Sequence, residues 1–261
     1  MKILITNDDG IDVRGLHELA DILSEIPNTK IYVVAPDRQR TAASLSTTIF
    51  AGLTLTEHDP GEFKRVEKAY ACSGYPADCV RIGLDMLAKQ GIKVDLVCSG
   101  INHGANLGRD VLYSGTISAA KEGAFHGVQS VAFSVCDHNP THFEAFQALI
   151  PSVLEQVYGK FDPSIIVSVN VPNRAAGEIK GLKITTTAPD CKYSPAYIIH
   201  EAENGVTRVD VDIDIKQDWD TERDDDISWI VKGYAVVAPV QLGTATDEGL
   251  GELRKMYFRY E

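Results

Sequence analysis

Short apolar runs rich in valine and isoleucine alternate, over the first two-thirds of the chain, with stretches whose apolar residues recur at helical spacing. Ile3 to Thr6, Lys30 to Ala35, Val94 to Cys98, Ser130 to Val135 and Ile165 to Val171 read as strands. Gly15 to Leu23, Pro76 to Ala88 and Thr116 to Phe125 read as helices. The first helix carries Leu16, Leu19, Ala20 and Leu23 on one face, and the second opens on a proline, whose fixed φ suits a first helical turn. This alternation predicts an α/β fold, with a Rossmann-like three-layer core built on a mostly parallel sheet.

Beyond about Asn173 the pattern changes, and strand-like stretches dominate. Val206 to Ile215 alternates strictly, with Val209, Val211, Ile213 and Ile215 opposite Asp210, Asp212 and Asp214. Tyr234 to Val240 is a further candidate strand of this β-rich region. The expected organisation is a single domain, with a core over 1–173 and a β-rich extension over 174–261. The aligned aspartates read as a solvated strand face. The charged segment Asp218 to Asp226 reads as a solvated loop or a helix start.

Composition narrows the function classes. Acidic residues outnumber basic ones by 37 to 25, giving a formal charge of -12, so no surface is set up for a nucleic-acid backbone. Small anions stay accessible, because a cation or local basic groups can override net charge. No apolar run reaches membrane-spanning length, and MKILITNDDG lacks the sections of a signal peptide. The expected location is cytoplasmic, with no membrane partner. Five cysteines, odd in number and without a CxxC pair, read as reduced and mostly buried.

In an open parallel sheet, ligands sit outside the carboxyl ends of the strands. Three such ends are polar here: Asn7 to Gly10 (NDDG), Pro36 to Ser46 (PDRQRTAASLS) and Ser99 to Gly115 (SGINHGANLGRDVLYSG). They offer oxygen donors and no Cys/His cluster, which selects Mg²⁺, Mn²⁺ or Ca²⁺ over zinc. Adjacent Asp8 and Asp9 are tolerable when a divalent cation offsets their repulsion, and Gly10 lets the backbone turn sharply enough for both to reach inward. NDDG alone has a second reading, in which Asp9 and Gly10 form a turn and Asp8 caps the following helix. LYSGT, directly before the third helix, sets Ser114, Thr116 and free backbone N–H groups at the positive end of a helix dipole. By itself that is capping chemistry. Beside a carboxylate-held cation it is what phosphate-ester hydrolysis requires, namely a cation to activate water and amides to hold the anion. No GxGxxG follows the first strand, so a dinucleotide oxidoreductase has no support.

The segments ILITNDDG, VVAPDRQRTAAS, PADCV, VCSGINHGANLGRDVLYSGTISAAKEGAFHG and VNVPN closely resemble the SurE family, the survival-protein-E nucleotidases and acid phosphatases. NDDG with SGIN.G.NLG and YSGT is specific; PADCV and VNVPN alone are not. The resemblance implies a metal-dependent phosphatase acting on nucleoside 5′-monophosphates, and in some members 3′-monophosphates, with a C-terminal arm that helps build homodimers or homotetramers. Carried over by position, one divalent ion per subunit falls to Asp8, Asp9, Thr41 and Asn102, with Asp8 and Asp9 catalytic, and phosphate contacts fall to Asn106, Ser114, Gly115 and Thr116. Thr41 departs from the usual serine, and its methyl group restricts χ1. Asp12 to Gly15 reads DVRG where APG is common, and Tyr75 replaces a threonine at the substrate rim.

The expected reaction is in-line attack on phosphorus by water that the cation activates. Asp8 as a covalent nucleophile is the weaker alternative. His103 is a candidate leaving-group acid or a loop histidine flanking the pocket. Arg38 and Arg40 reach a phosphate or, through Asp37, shape their own loop. Asn7 orients the aspartates from behind. The rival from another class is a nucleotide-binding stress or assembly protein with little turnover.

Overall fold

The computed structural model describes residues 1–191, 193–201, 204–215 and 220–242. In chain order its elements are β1 (Lys2–Thr6), α1 (Arg14–Ser24), β2 (Lys30–Pro36), β3 (Leu55–His58), β4 (Val66–Cys72), α2 (Pro76–Lys89), β5 (Leu96–His103) and α3 (Gly115–Phe125). There follow β6 (Gln129–Val135), α4 (Glu144–Val157), β7 (Ile165–Val171), β8 (Leu182–Ile184), β9 (Tyr193–Ile199), β10 (Val209–Ile215), α5 (Asp226–Val231) and β11 (Ala235–Gln241). Nine of these strands form one sheet in the order β3-β4-β2-β1-β5-β6-β7-β11-β8, and β9 pairs with β10 separately. Every pairing from β4 across to β7 is parallel, while β3 and β11 run antiparallel to β4 and β7.

The apolar pattern explains the layers. Ile3, Leu4 and Ile5 are all fully buried, which suits a strand covered on both faces. The pleat sends Ile3 and Ile5 into a layer with Leu16, Leu19 and Leu23 of α1 and Phe146 and Ile150 of α4. Leu4 faces the opposite layer, with Val80 and Leu87 of α2 and Ala119 of α3. Each such side chain contributes about 1.5–3 kcal/mol on burial. β1 is thereby fixed in the sheet between β2 and β5, where the chain order reverses.

Several elements differ from the pattern's expectation for physical reasons. SGIN does not leave the sheet after Cys98: Ser99 to Asn102 are buried, and pairing with β6 resumes at Asn102 opposite Ser134 after a register break. β3 is largely exposed, and α4 carries Pro151 inside it, so neither is announced by clean periodicity. Tyr234 to Val240 contributes β11 to the main sheet, antiparallel to β7, rather than to a separate β-rich region. Asp225 and Asp226 are not solvated; they are 4% and 1% exposed at the start of α5. In β10 the valines of the alternating pattern are not backed by a core, and Val211 is 65% exposed. Residues 216–219 of the charged segment and 243–261 of the C-terminal segment lie outside the described residues.

Candidate active site

β1 and β5 pair side by side, with Thr6 opposite Ser99, so the turn leaving β1 lies against the SGIN end of β5. Asn7 closes that turn: its Nδ2 donates to Gly10 O at 2.8 Å and its Oδ1 accepts the Gly10 N–H at 3.2 Å. Gly10 has φ +117°, a conformation side chains disfavour. The N-cap of α1 is Val13, so Asp8 does not cap the helix that follows it.

Asp8 instead meets the N-terminus of α3. The Thr116 hydroxyl donates to Asp8 Oδ1 at 2.5 Å. A Cβ on Gly115 would stand 2.6 Å from Asp8 Cβ, so only glycine permits this approach. Asp9 accepts the His103 N–H at 2.9 Å. Its neighbour Asn102 donates Nδ2 to Gly104 O at 2.8 Å, which leaves Oδ1 as the ligand atom of that amide. The Arg40 N–H donates to Asp8 O at 2.7 Å and sets Thr41 one residue from that contact. Thr41 itself is exposed.

The oxyanion side is equally defined. Ser114 caps α3, its Oγ accepting the Ile117 N–H at 3.1 Å. Thr116 does not cap, because its hydroxyl is committed to Asp8. Asn106 is buried, and its Nδ2 donates to Ser134 Oγ at 2.8 Å, so one hydrogen of that amide is left for a ligand. The Asn106 N–H donates to Asn170 Oδ1 at 2.8 Å, and Asn170 Nδ2 donates back to Asn106 O at 3.0 Å. Arg40 reaches Asp37 at 3.4 Å, donates to Ser73 O at 2.5 Å, and lies 5.3 Å from the centre of the Tyr75 ring. Its guanidinium therefore ties its own loop together, and Arg38 is exposed.

Charge follows from this geometry. Burial pushes the Asp8 carboxyl up to about 7, the Asp9 charge pushes the same way, and the Thr116 hydrogen bond opposes both. Burial also raises Asp9, against the His103 N–H and the charges of His103 and His138. Burial holds His103 below its ordinary value, and its Nε2 is buried without a hydrogen-bond partner. Among the described residues no lysine or arginine offsets the charge of either aspartate. A buried and a half-buried carboxylate with no lysine or arginine paired to either, and an amide oxygen beside them, fit a hard divalent cation. A second set of ligand atoms, from Asp12, His58 and Glu62, lies within 4.8 Å of one another. There His58 Nε2 sits 3.0 Å from Glu62 and 3.5 Å from Asp12, and both carboxylates are exposed, as in ordinary surface ion pairs.

The family model described as survival protein SurE matches residues 3–193. The chain belongs to the SurE family. Among SurE relatives, the 5′-nucleotidase SurE of Vibrio cholerae serotype O1 is 44% identical over 186 residues, 71% of this chain and 70% of that protein. The 5′-nucleotidase SurE of Campylobacter curvus is 35% identical across 98% of this chain and 99% of its own. The crystal structure of the SurE protein from Aquifex aeolicus superposes with a TM-score of 0.79 at 28% identity, covering 98% of this chain and 99% of that one. The SurE match contains every residue just placed at the site, from Asn7 to Asn170.

Four polar residues around the SurE site are not singled out as site residues by the sequence: Ser134 and His138 lie outside every SurE-like segment, and Asn170 and Asp78 sit inside VNVPN and PADCV. Asn170 and Ser134 hold Asn106, and the signal for both is a polar residue inside an apolar strand. Asp78 of PADCV accepts from the Thr48 N–H at 2.9 Å and from the Tyr75 N–H at 3.0 Å, fastening the loop after Thr41 to α2. His138 lies near Gly104 and lowers the Asp9 pKa, a placement that only the fold creates.

Proposed function

We propose that this chain is a metal-dependent phosphomonoesterase that releases phosphate from nucleoside monophosphates, the 5′-monophosphates first among them. One observation carries the reading: the buried Asp8 carboxylate, short of counter-charge, sits directly against the N-terminus of α3. A cation site and an oxyanion site thereby become one site. The curated relatives named 5′-nucleotidase SurE support the substrate class.

Asp8, Asp9 and Asn102 would hold one Mg²⁺, Mn²⁺ or Ca²⁺ per subunit, with Thr41 a peripheral fourth donor. When bound, the cation supplies charge that acidifies water and offsets the phosphoryl oxygens. The chain's own groups do the rest. Asp8 and Asp9 orient the attacking water in line with the phosphorus and the leaving oxygen. The amides at Ser114 and Thr116 and the Asn106 side chain would hold the phosphoryl oxygens at the positive end of α3, with the Gly115 N–H shared with Asp8, where preorganised N–H dipoles stabilise developing charge. Asn7 and the His103 N–H hold the aspartates in place. The His103 ring, with Nε2 buried against Gly15 and tilted beside Phe143, supports the reading of a loop histidine that flanks the pocket over that of a leaving-group acid.

Assembly belongs to the same reading. The β9–β10 hairpin exposes Tyr197, Ile199 and Val211 on a segment that makes no pairing with the main sheet. It serves as the arm of a homodimer or homotetramer, and the protein works in the cytoplasm. A Val211→Asp variant is expected to lower the sedimenting mass; an unchanged mass removes the hairpin from the interface.

The deciding experiment is phosphate release from a panel of nucleoside monophosphates and p-nitrophenyl phosphate with Mn²⁺, in the parent and in Asp8→Asn and Asp9→Asn variants. Release by the parent that both variants lose supports the reading. Nucleotide and Mn²⁺ binding with no release would instead make the protein a nucleotide binder.

A further inference from the structure

The segment between the two halves of the oxyanion cradle, Ala105 to Tyr113, is not held by the sheet alone. Gly108 donates its N–H to Asp226 Oδ2 at 2.9 Å, and the Arg109 N–H donates to Asp190 O at 2.8 Å. Both partners lie far along the chain, beyond β7. The same Asp226 carboxylate takes two more backbone amides on its other oxygen, from Ala188 at 2.9 Å and from Ile227 at 2.8 Å. Around it Leu107, Ala188, Ile227 and Val236 form a small apolar cluster, so the contact is dry. Gly108 has φ +53°, and a Cβ there would stand 2.2 Å from Asp190 O, so the backbones are pressed together at this point.

We propose that Asp226 is a positioning residue of the phosphate cradle, acting through Gly108 to fix the spacing between Asn106 and the Ser114 cap. Asn106 stands two positions before Gly108, held by Asn170, and Ser114 follows six positions after it, fixed by α3. Between these fixed ends the Gly108 and Arg109 contacts hold the start of the 3-10 turn Gly108–Leu112, while its end is held by Ser44, whose Oγ donates to Leu112 O at 2.8 Å and whose N–H donates to Tyr113 O at 3.0 Å. A carboxylate with three amide donors is a rigid anchor, since a charged acceptor binds each N–H more strongly than a neutral one does. Asp226 touches neither Asp8 nor Asp9, so its effect falls on the anion and not on the cation. Asp226 lies beyond residue 193, where the family match ends, while its companions Ala188 and Asp190 lie within that match.

This inference rests on the proposed phosphatase reading, and its test separates the two. Asp226→Asn keeps one oxygen for Ala188 and Ile227 and turns an NH₂ toward the Gly108 N–H. The expected result is a roughly tenfold rise in KM for the nucleotide and in the inhibition constant of inorganic phosphate, with Mn²⁺ affinity within about twofold of the parent. Gly108→Ala strikes the same contact from the loop side and is expected to give the same split. Asp225→Asn, which weakens the α5 cap and leaves Gly108 alone, should lower thermal stability without moving either phosphate constant. The proposal is overturned if Asp226→Asn shifts phosphate inhibition no more than Asp225→Asn does, or if Mn²⁺ affinity falls in step with it. Should the parent release no phosphate at all, the nucleotidase reading fails first. The latch is then tested by direct calorimetry of inorganic phosphate, with the same tenfold weakening expected and equal binding by parent and variant refuting it.

Discussion

Among the described residues two pairs of adjacent aspartates are drawn in from the surface, Asp8 with the half-buried Asp9 and Asp225 with Asp226, and they are handled in opposite ways. Asp225 and Asp226 are held by the protein itself: Asp226 accepts three amides, and Asp225 accepts the Ser228 N–H on one oxygen and sets the other, which takes no hydrogen bond, in an ion pair 2.8 Å from Arg223 Nε. Asp8 and Asp9 receive one hydroxyl, the His103 amide and the edge of a helix N-terminus, with no arginine or lysine among the described residues to offset them. Burial raises Asp226 to about 6 even so, but Asp8 reaches about 7 with the Asp9 charge beside it. Adjacency of carboxylates is therefore not what signals a cation; a pair drawn in from water with no arginine or lysine paired to it is.

The sharpest way to break this contrast is to neutralise one member of each pair. Asp8→Asn or Asp9→Asn should cut cation-dependent phosphate release by at least ~100-fold while raising the melting temperature of the metal-free protein, because a repelled buried charge is gone. Activity assays and calorimetric melts on the same preparations check both signs, and a variant that loses stability along with activity would count against the account. Asp225→Ala should do the reverse, costing about 1 kcal/mol as a helix N-cap is lost and leaving turnover of the folded enzyme unchanged.

The pH dependence of stability sharpens the comparison. Asp8 has a folded value of about 7 against an ordinary 3.8. Its contribution is thus full below about pH 4 and is lost as pH rises through about 7, amounting to about 4 kcal/mol at most. Saturating Mg²⁺ or Mn²⁺ favours the ionised pair, so it should stabilise the protein more at pH 8 than at pH 5. Denaturant melts at the two pH values, with and without cation, measure this; a cation effect independent of pH would contradict it. The smallest expected effect is at Thr41, exposed on its loop: Thr41→Ser should change cation affinity by less than about threefold in a Mn²⁺ titration.

Much of this was legible in the chain. The buried run Ile3 to Ile5 and the helical spacing of Leu16, Leu19 and Leu23 depend on local periodicity, and both reappear as β1 and α1 in the sheet. The end of β1 was identifiable because polar residues follow an apolar strand there, whereas β5 carries its polar residues Ser99 to His103 inside the strand and so runs past the expected end at Cys98. What local pattern could not carry was partnership across the fold. Thr116 looked like a helix cap, yet its hydroxyl reaches back to Asp8, 108 positions earlier. Asp226 reads as part of a solvated loop or a helix start, and it does open α5, yet it is also the acceptor for Gly108, 118 positions before it. The valines of β10 alternate as if one face were covered, and in the single chain that face is exposed.

The claim at the centre is that cation and oxyanion share one site at the N-terminus of α3. Calorimetric titration of the metal-free protein with Mn²⁺, with and without saturating inorganic phosphate, tests it directly. Phosphate should tighten Mn²⁺ binding roughly tenfold, since each ligand then neutralises the other at close range, and Mn²⁺ should tighten phosphate by the same factor. Mn²⁺ binding that is indifferent to phosphate would place the two ligands apart and contradict the account.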